Sequence, residues 1–402
     1  MSLAGDPAGA LAGHVLTPRA DGTTAFVRDI EVSWSGGRIA ALEEGHGDLL
    51  LVPGLVDVHV HLPQYRVRGR FQEALLPWLR EHIWPEEMRF AEREYRDGCT
   101  REFREGLVDA GTTAAMVYGS PLADSAHAVL EDLDPLCIKG GDVLMDRNGP
   151  DEVLRSAEDA TRSAADHVRR FGERYAITPR FAPTCSMELM KACGELSARS
   201  DARMQTHLSE NLDEVAWVRD LHPTAASYTD VYARAGLLGP RSIFGHCIHL
   251  DDAELRLLAD SGSWVAHCPT SNVALGSGRM PLERIRAAGI PVALATDVGA
   301  GPHLSMLHVM ATCIDVHRGF VDLAPTEALR LATLEGARAL GEAERGRLAE
   351  GAHADLVGLR IPGGLRRGED GDSVLARVLA EFADRWDDAV AVVVAGGVRL
   401  KG

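Results

Sequence analysis

Short apolar runs alternate with longer amphipathic ones along most of this chain. Brief apolar runs rich in β-branched residues read as buried strands, and apolar positions at a 3.6-residue period read as helices. The strand runs fall at 55–61, 112–118, 137–145, 175–181, 203–208, 242–248, 263–268 and 291–297. Helical patterns follow at 86–110, 124–134, 151–171, 186–199, 212–221, 251–260, 280–288 and 304–317. Eight strands, each followed by a helix, predict an α/β fold of the (β/α)8 TIM-barrel type. The flanks differ. Short strand patterns at Ala25–Trp34, Arg38–Leu42, 352–360 and 388–400 are too few at either end for a stable sheet. Both ends are therefore expected to combine into one small β-sandwich. Residues 1–52 and 341–402 would form its two parts, and 53–340 the barrel.

Composition changes this picture only by exclusion. The 402 residues are 46% hydrophobic and 25% charged, ordinary values for a globular protein. The formal charge is −17, and only Lys139, Lys191 and Lys401 represent lysine. Neither nucleic acid nor an anionic membrane is expected as a partner. Met1–Leu16 lacks the basic start and apolar run of a signal peptide, and Ala389–Val398 is too short to span a bilayer. Seven cysteines, an odd number without a Cys-x-x-Cys pair, suit buried reduced thiols and a cytoplasmic location.

The candidate chemistry sits at strand ends. In Pro53–His61, strand alternation puts Asp57, His59 and His61 on one face and Val56, Val58 and Val60 on the other. Two imidazoles at the C-terminal end of a barrel strand are spaced to clasp one metal ion. His207 ends the fifth strand. Glu210 follows three residues later, where it could instead belong to a helix cap. His246 ends the sixth strand, with His249 a weaker candidate beyond it. Asp297 closes the eighth strand as either a turn former or a ligand. All four features fall at the one barrel face where such folds do chemistry.

This set resembles the amidohydrolase superfamily and, within it, the guanine deaminase family. The resemblance runs through Pro53–Tyr65, Leu75–Leu79, Trp84–Glu86, Thr178–Phe181, Thr206–Asn211, His246–Leu250, Cys268–Asn272 and Thr296–Asp297. Its specific parts are His61 with Gln64, and Arg180 with Phe181. It implies one zinc ion, or iron, held by His59, His61, His207 and Asp297. It further implies that Glu210 shuttles protons, that His246 hydrogen-bonds the attacking water or the reacting centre, and that Asp297 takes the water proton. Gln64, Arg180, Phe181 and His207 would contact a small-molecule purine. A homodimer is implied as well. The loop after Asp297 departs from the family's Gly-rich form at Ala300, Pro302 and His303.

Arg180 offers only donors, which suits a purine carbonyl or ring nitrogen, and Gln64 offers both a donor and an acceptor. Trp78, Tyr65 and Trp84 could line a pocket or simply pack. The expected activity is hydrolysis of guanine to xanthine and ammonia. Two alternatives stand beside it: another heterocycle such as 8-oxoguanine, a pterin or a triazine, and a non-catalytic scaffold. A scaffold need not keep the ligands, yet every one of them is present together with Glu210.

Overall fold

The structure is a computed structural model and describes residues 8–71, 75–122, 125–382 and 385–402. Four strands come first: β1 (Gly9–Pro18), β2 (Thr24–Ser35), β3 (Arg38–Glu44) and β4 (Leu49–Pro53). The barrel strands follow as β5 (Leu55–His61), β6 (Thr112–Tyr118), β7 (Cys137–Gly141), β8 (Val143–Leu144), β9 (Ala176–Pro179), β10 (Arg203–Leu208), β11 (Ser242–His246), β12 (Trp264–His267) and β13 (Val292–Leu294). Three more strands, β14 (Leu356–Arg360), β15 (Val390–Ala395) and β16 (Val398–Lys401), return to the first group.

Every residue of β5 and β6 is buried, as expected of parallel strands covered on both faces. The alternation in β5 is realised. Val56 and Val58 pack with Ala337 and Leu340 of the helix Leu334–Leu340, and Val60 packs with Phe103 and Leu107 of the helix Arg93–Asp109. Asp57, His59 and His61 take the other face. Parallel pairing runs in two arcs, β5-β6-β7 and β8-β9-β10-β11-β12-β13. A bridge between Gly140 and Tyr175 links the arcs on one side. On the other, Asp297 N donates to His59 O at 2.8 Å and His61 N to Val298 O at 2.6 Å. The arcs do not merge into one continuous ring of ladders.

The expected strand 137–145 divides at Asp142. This buried carboxylate accepts from Tyr175 Oη at 2.8 Å and Arg155 Nη1 at 3.2 Å, and lies 3.1 Å from His167 Nδ1. The expected helix 86–110 is also interrupted, becoming Trp84–Met88, a 3-10 turn and Arg93–Asp109. The helix expected from 124 begins at Ser125 among the described residues, position 124 lying outside them. Two helices start where the sequence places Asx-x-x-Glu. Asn211 with Glu214 and Asp251 with Glu254 form reciprocal capping boxes that satisfy first-turn amides.

Both chain ends do build one separate sheet, ordered β16-β15-β14-β4-β1-β2-β3. Its seven strands form a single hydrogen-bonded sheet that curls until its ends approach. Trp34 Nε1 on β2 donates to Gly397 O, beyond β15, at 2.8 Å, and Ile39 N on β3 donates to Ala352 O at 2.9 Å. The curl encloses Val15, Val32, Leu51, Leu356 and Val394, the core of the expected sandwich. Its outer face packs on helices, including Gly371–Phe382, which the sequence reading missed. Val374, Leu375, Val378 and Leu379 there follow helical spacing and bury against Leu359 and Val390. Among the described residues, no helix is long and apolar enough to cross a membrane.

Trp34 is 5% exposed, so Trp34→Ala should lower the unfolding free energy by about 3–5 kcal/mol. Trp34→Phe keeps most of the packing and loses the N–H donor, and should cost about 0.5–1.5 kcal/mol. Urea unfolding followed by circular dichroism reads both. Equal losses would show that the hydrogen bond, not the packing, pins the curl.

Candidate active site

The four expected ligands converge. His59 Nε2 lies 3.3 Å from His61 Nε2, and His61 Nε2 lies 3.4 Å from His207 Nε2. Asp297 Oδ1 is 3.3 Å from both His59 Nε2 and His61 Nε2. Four donor atoms within 4.8 Å of one another, supplied by β5, β10 and Asp297, which lies three residues beyond the end of β13 rather than closing the strand as expected, form a metal-sized cluster. His207 Nδ1 lies 2.7 Å from Arg180 O, which can only accept, so this nitrogen carries the proton and Nε2 is left with its lone pair. Gly245 supports the cluster from behind. A Cβ there would stand 2.7 Å from His59 Cε1, so only glycine lets the ring occupy its place. Facing imidazole lone pairs beside a carboxylate fit a divalent cation of the zinc type.

Burial shapes the electrostatics. It pulls the His59 pKa down to about 4 and that of His207 well below the imidazole range, which keeps both rings neutral and able to ligate. Burial alone would raise Asp297, yet its contacts with His59 and His61 hold it well below the usual carboxylate range. For Glu210 burial outweighs the opposing pull of His246 and pushes its pKa up to about 7. Ser277 Oγ donates to Glu210 Oε1 at 3.1 Å. His246 stands between the two acids, its Nε2 3.6 Å from Glu210 Oε2 and 3.8 Å from Asp297 Oδ2. Burial works to lower its pKa, but these two carboxylates raise it overall. Its Nδ1 lies 3.0 Å from Asn272 Oδ1, and Ser271 Oγ donates to Asp297 Oδ2 at 2.6 Å.

The backbone is strained at these same positions. Ser209, His246, Cys247 and Asp297 adopt φ of +52°, +70°, +54° and +50°. Each such non-glycine residue costs on the order of 1–3 kcal/mol and persists only where its surroundings hold it. The chain turns sharply as it leaves β10, β11 and the eighth strand, so the side chains remain at the mouth of the barrel.

A small cavity opens from the cluster. Gln64, Arg180 and Phe181 line it together with Glu210 and His246, and Trp78, Leu79, Leu275 and Ala300 close its apolar side. Trp78 is thus a wall residue, Trp84 packs behind it, and Tyr65 lies against Phe103. His249 points elsewhere, 3.0 Å from Ser277 O, and His267 pairs with His317 at 3.0 Å. Of the departures after Asp297, Ala300 reaches the cavity lining.

Residues 50–400 match the Amidohydrolase family. The chain belongs to the amidohydrolase family. It is 39% identical over 318 residues to the guanine deaminase of Escherichia coli (strain K12), covering 77% of this chain and 72% of that one. The guanine deaminase structure from Bradyrhizobium japonicum superposes with a TM-score of 0.90 at 29% identity, covering 98% and 99% of the two chains. That of C. acetobutylicum, with bound guanine in its active site, superposes with a TM-score of 0.87 at 27% identity, covering 98% and 99%.

Several working parts of this amidohydrolase make contacts that the sequence reading did not reach. Asp57 is wholly buried and accepts from Thr296 Oγ1 at 2.5 Å, Thr296 N at 3.1 Å and His59 N at 3.2 Å, tying β5 to the eighth strand. Burial raises its pKa to about 7. Tyr118 stacks on His61, with ring centres 4.4 Å apart. Glu87, the neighbour of a residue in a resembling stretch, binds both Arg180 and Gln64. Glu86-Glu87 reads in sequence as an exposed first helical turn, and only contact with Arg180 shows otherwise. Gly245→Ala should weaken metal affinity by about 10- to 100-fold, the usual cost of disturbing a ligand's support. Metal analysis after dialysis against a weak chelator, with an unchanged far-ultraviolet spectrum, checks this.

Proposed function

We propose that this amidohydrolase hydrolyses guanine to xanthine and ammonia. One observation carries the reading: the His–Asp cluster, a protonatable glutamate and the Arg180–Gln64 pair all border one cavity. The similarity to guanine deaminases over most of the chain supports the same substrate.

His59, His61, His207 and Asp297 are the proposed ligands of one zinc ion. A divalent cation held there supplies a nucleophile from water at neutral pH by lowering the water pKa to about 7. The protein supplies the rest. Arg180, a pure donor, and Gln64 take the purine's polar edge, while Phe181 and Trp78 cover its faces. Glu210, with its pKa near 7, delivers a proton to ring N3 as water oxygen bonds to C2. Asp297 Oδ2 accepts the proton that water gives up, and His246 lies within reach of both acids. The C2–N bond then breaks. The departing nitrogen takes the proton held by Asp297 and leaves as ammonia, the C2 hydroxyl gives its proton to Glu210, and the oxygen stays on C2 as the new carbonyl of xanthine with N3 protonated. A cytoplasmic, homodimeric enzyme of purine breakdown is part of the same proposal, and sedimentation velocity reads the dimer.

Glu210→Gln should keep one equivalent of metal and lower kcat by about 100- to 10,000-fold, the usual scale of positioned acid–base catalysis. His59→Ala should lose the metal itself. Metal analysis and ultraviolet detection of guanine conversion, on the same preparations, read both. Bound metal with no guanine turnover by the unaltered enzyme would move the substrate to another heterocycle. No metal and no turnover in a metal-replete sample would overturn the catalytic reading.

A further inference from the structure

Glu87 is fully buried but contributes nothing to the cavity wall. Its carboxylate is occupied by the two residues that face the substrate. Arg180 Nη1 donates to Glu87 Oε1 at 2.9 Å and to Oε2 at 2.7 Å, and Gln64 Nε2 donates to Oε1 at 3.1 Å. Gln64 Oε1 in turn accepts from Gly299 N at 3.3 Å. These contacts leave the Gln64 amide one orientation. Reversed, it would set an oxygen against the Glu87 carboxylate and an NH2 group against the Gly299 N–H. The residues themselves are rigidly enclosed, Gln64 being 2% and Arg180 3% exposed.

We propose that Glu87 is a positioning residue that sets the polarity of the recognition edge. By binding one N–H of the Gln64 amide and one guanidinium nitrogen of Arg180, while the Gly299 N–H engages the amide oxygen, it fixes the orientation in which the second Gln64 N–H and the free guanidinium N–H groups are the donors left for the ligand. A purine with a carbonyl at C6 finds partners there, whereas one with an amine at C6 brings donors to donors and leaves buried groups unpaired. Arg180 alone would favour a carbonyl. Gln64 is the adaptable member, since a free amide serves either substrate by turning over, and Glu87 removes that freedom. The inference rests on the guanine reading and adds to it the source of discrimination between 6-oxo and 6-amino rings.

The test compares guanine with 2,6-diaminopurine, which carries the same departing 2-amino group and an amine in place of the carbonyl. In Glu87→Gln the carboxylate is gone and the Gln64 amide can reverse. Its kcat/KM for guanine should fall by about 10- to 100-fold, mainly through KM, the scale of one or two lost charge-assisted hydrogen bonds. Preference for guanine over 2,6-diaminopurine should drop at least about tenfold. Glu87→Asp keeps the charge and should retain part of the preference, which covers the case in which Glu87→Gln does not fold. In a Gln64→Leu background the same Glu87 substitutions should no longer shift the preference, because the amide they release is absent.

A purely structural role would lower activity on both substrates alike and leave their ratio intact. An unchanged ratio in a folded, metal-loaded Glu87 variant, with normal guanine turnover by the unaltered enzyme, overturns this proposal alone. Absence of guanine turnover by the unaltered enzyme overturns the guanine reading and this inference with it.

Discussion

The carboxylate of Asp297 is the contact on which the site depends. Oδ1 faces His59 and His61, Oδ2 accepts from Ser271 and lies within reach of His246, and the Asp297 backbone N–H binds His59 O. One residue therefore completes the donor cluster and joins the last barrel strand to the first. The join is needed because the parallel ladders form two arcs. It shares that task with the bond from His61 N to Val298 O. Asp57 reinforces the same seam through Thr296, one residue before Asp297.

Strain and burial are consequences of that convergence. After His207, at His246 and at Asp297 the chain turns away abruptly, and four non-glycine residues with positive φ mark these turns. Excluding water at the same point separates the titrations of two acids. Asp297, beside two imidazoles, stays ionised, whereas Glu210, with burial dominating, holds a proton near neutrality. Two carboxylates in one cavity thus acquire different roles from their neighbours. Recognition follows a similar rule one layer out, where Glu87 sets the orientation of side chains that it does not itself present to a ligand.

Much of this was legible in the residues. Alternation along Pro53–His61 places Asp57, His59 and His61 on one face whatever the rest of the chain does, because side-chain direction in a strand has a period of two. The alternation of strand and helix patterns likewise points to parallel strands with helical cover. His207, His246 and Asp297 could be found because each falls at or near the end of a strand expected from the sequence. Glu87 could not be found in this way. A glutamate after Trp84-Pro85 looks like any first-turn acid, and its burial depends on Arg180 arriving from a strand 93 residues away. The helix Gly371–Phe382 was missed within a segment read as β-structure, although its apolar spacing was there to see.

Sequence alone determined what is local: which residues face together on β5, which runs are buried, where helices Leu212–Leu221 and Asp252–Ser261 begin, and which side chains can ligate or carry protons. Tertiary structure decided what is relational. It chose which imidazole nitrogens meet, where the third strand breaks around Asp142, how a seven-stranded sheet curls until Trp34 reaches Gly397, and that Glu87 binds Gln64 and Arg180 together. The division has a physical reason. Backbone periodicity and capping act over a few residues and are written in them, while burial, pKa and side-chain orientation depend on partners that only the folded chain brings within a few ångströms.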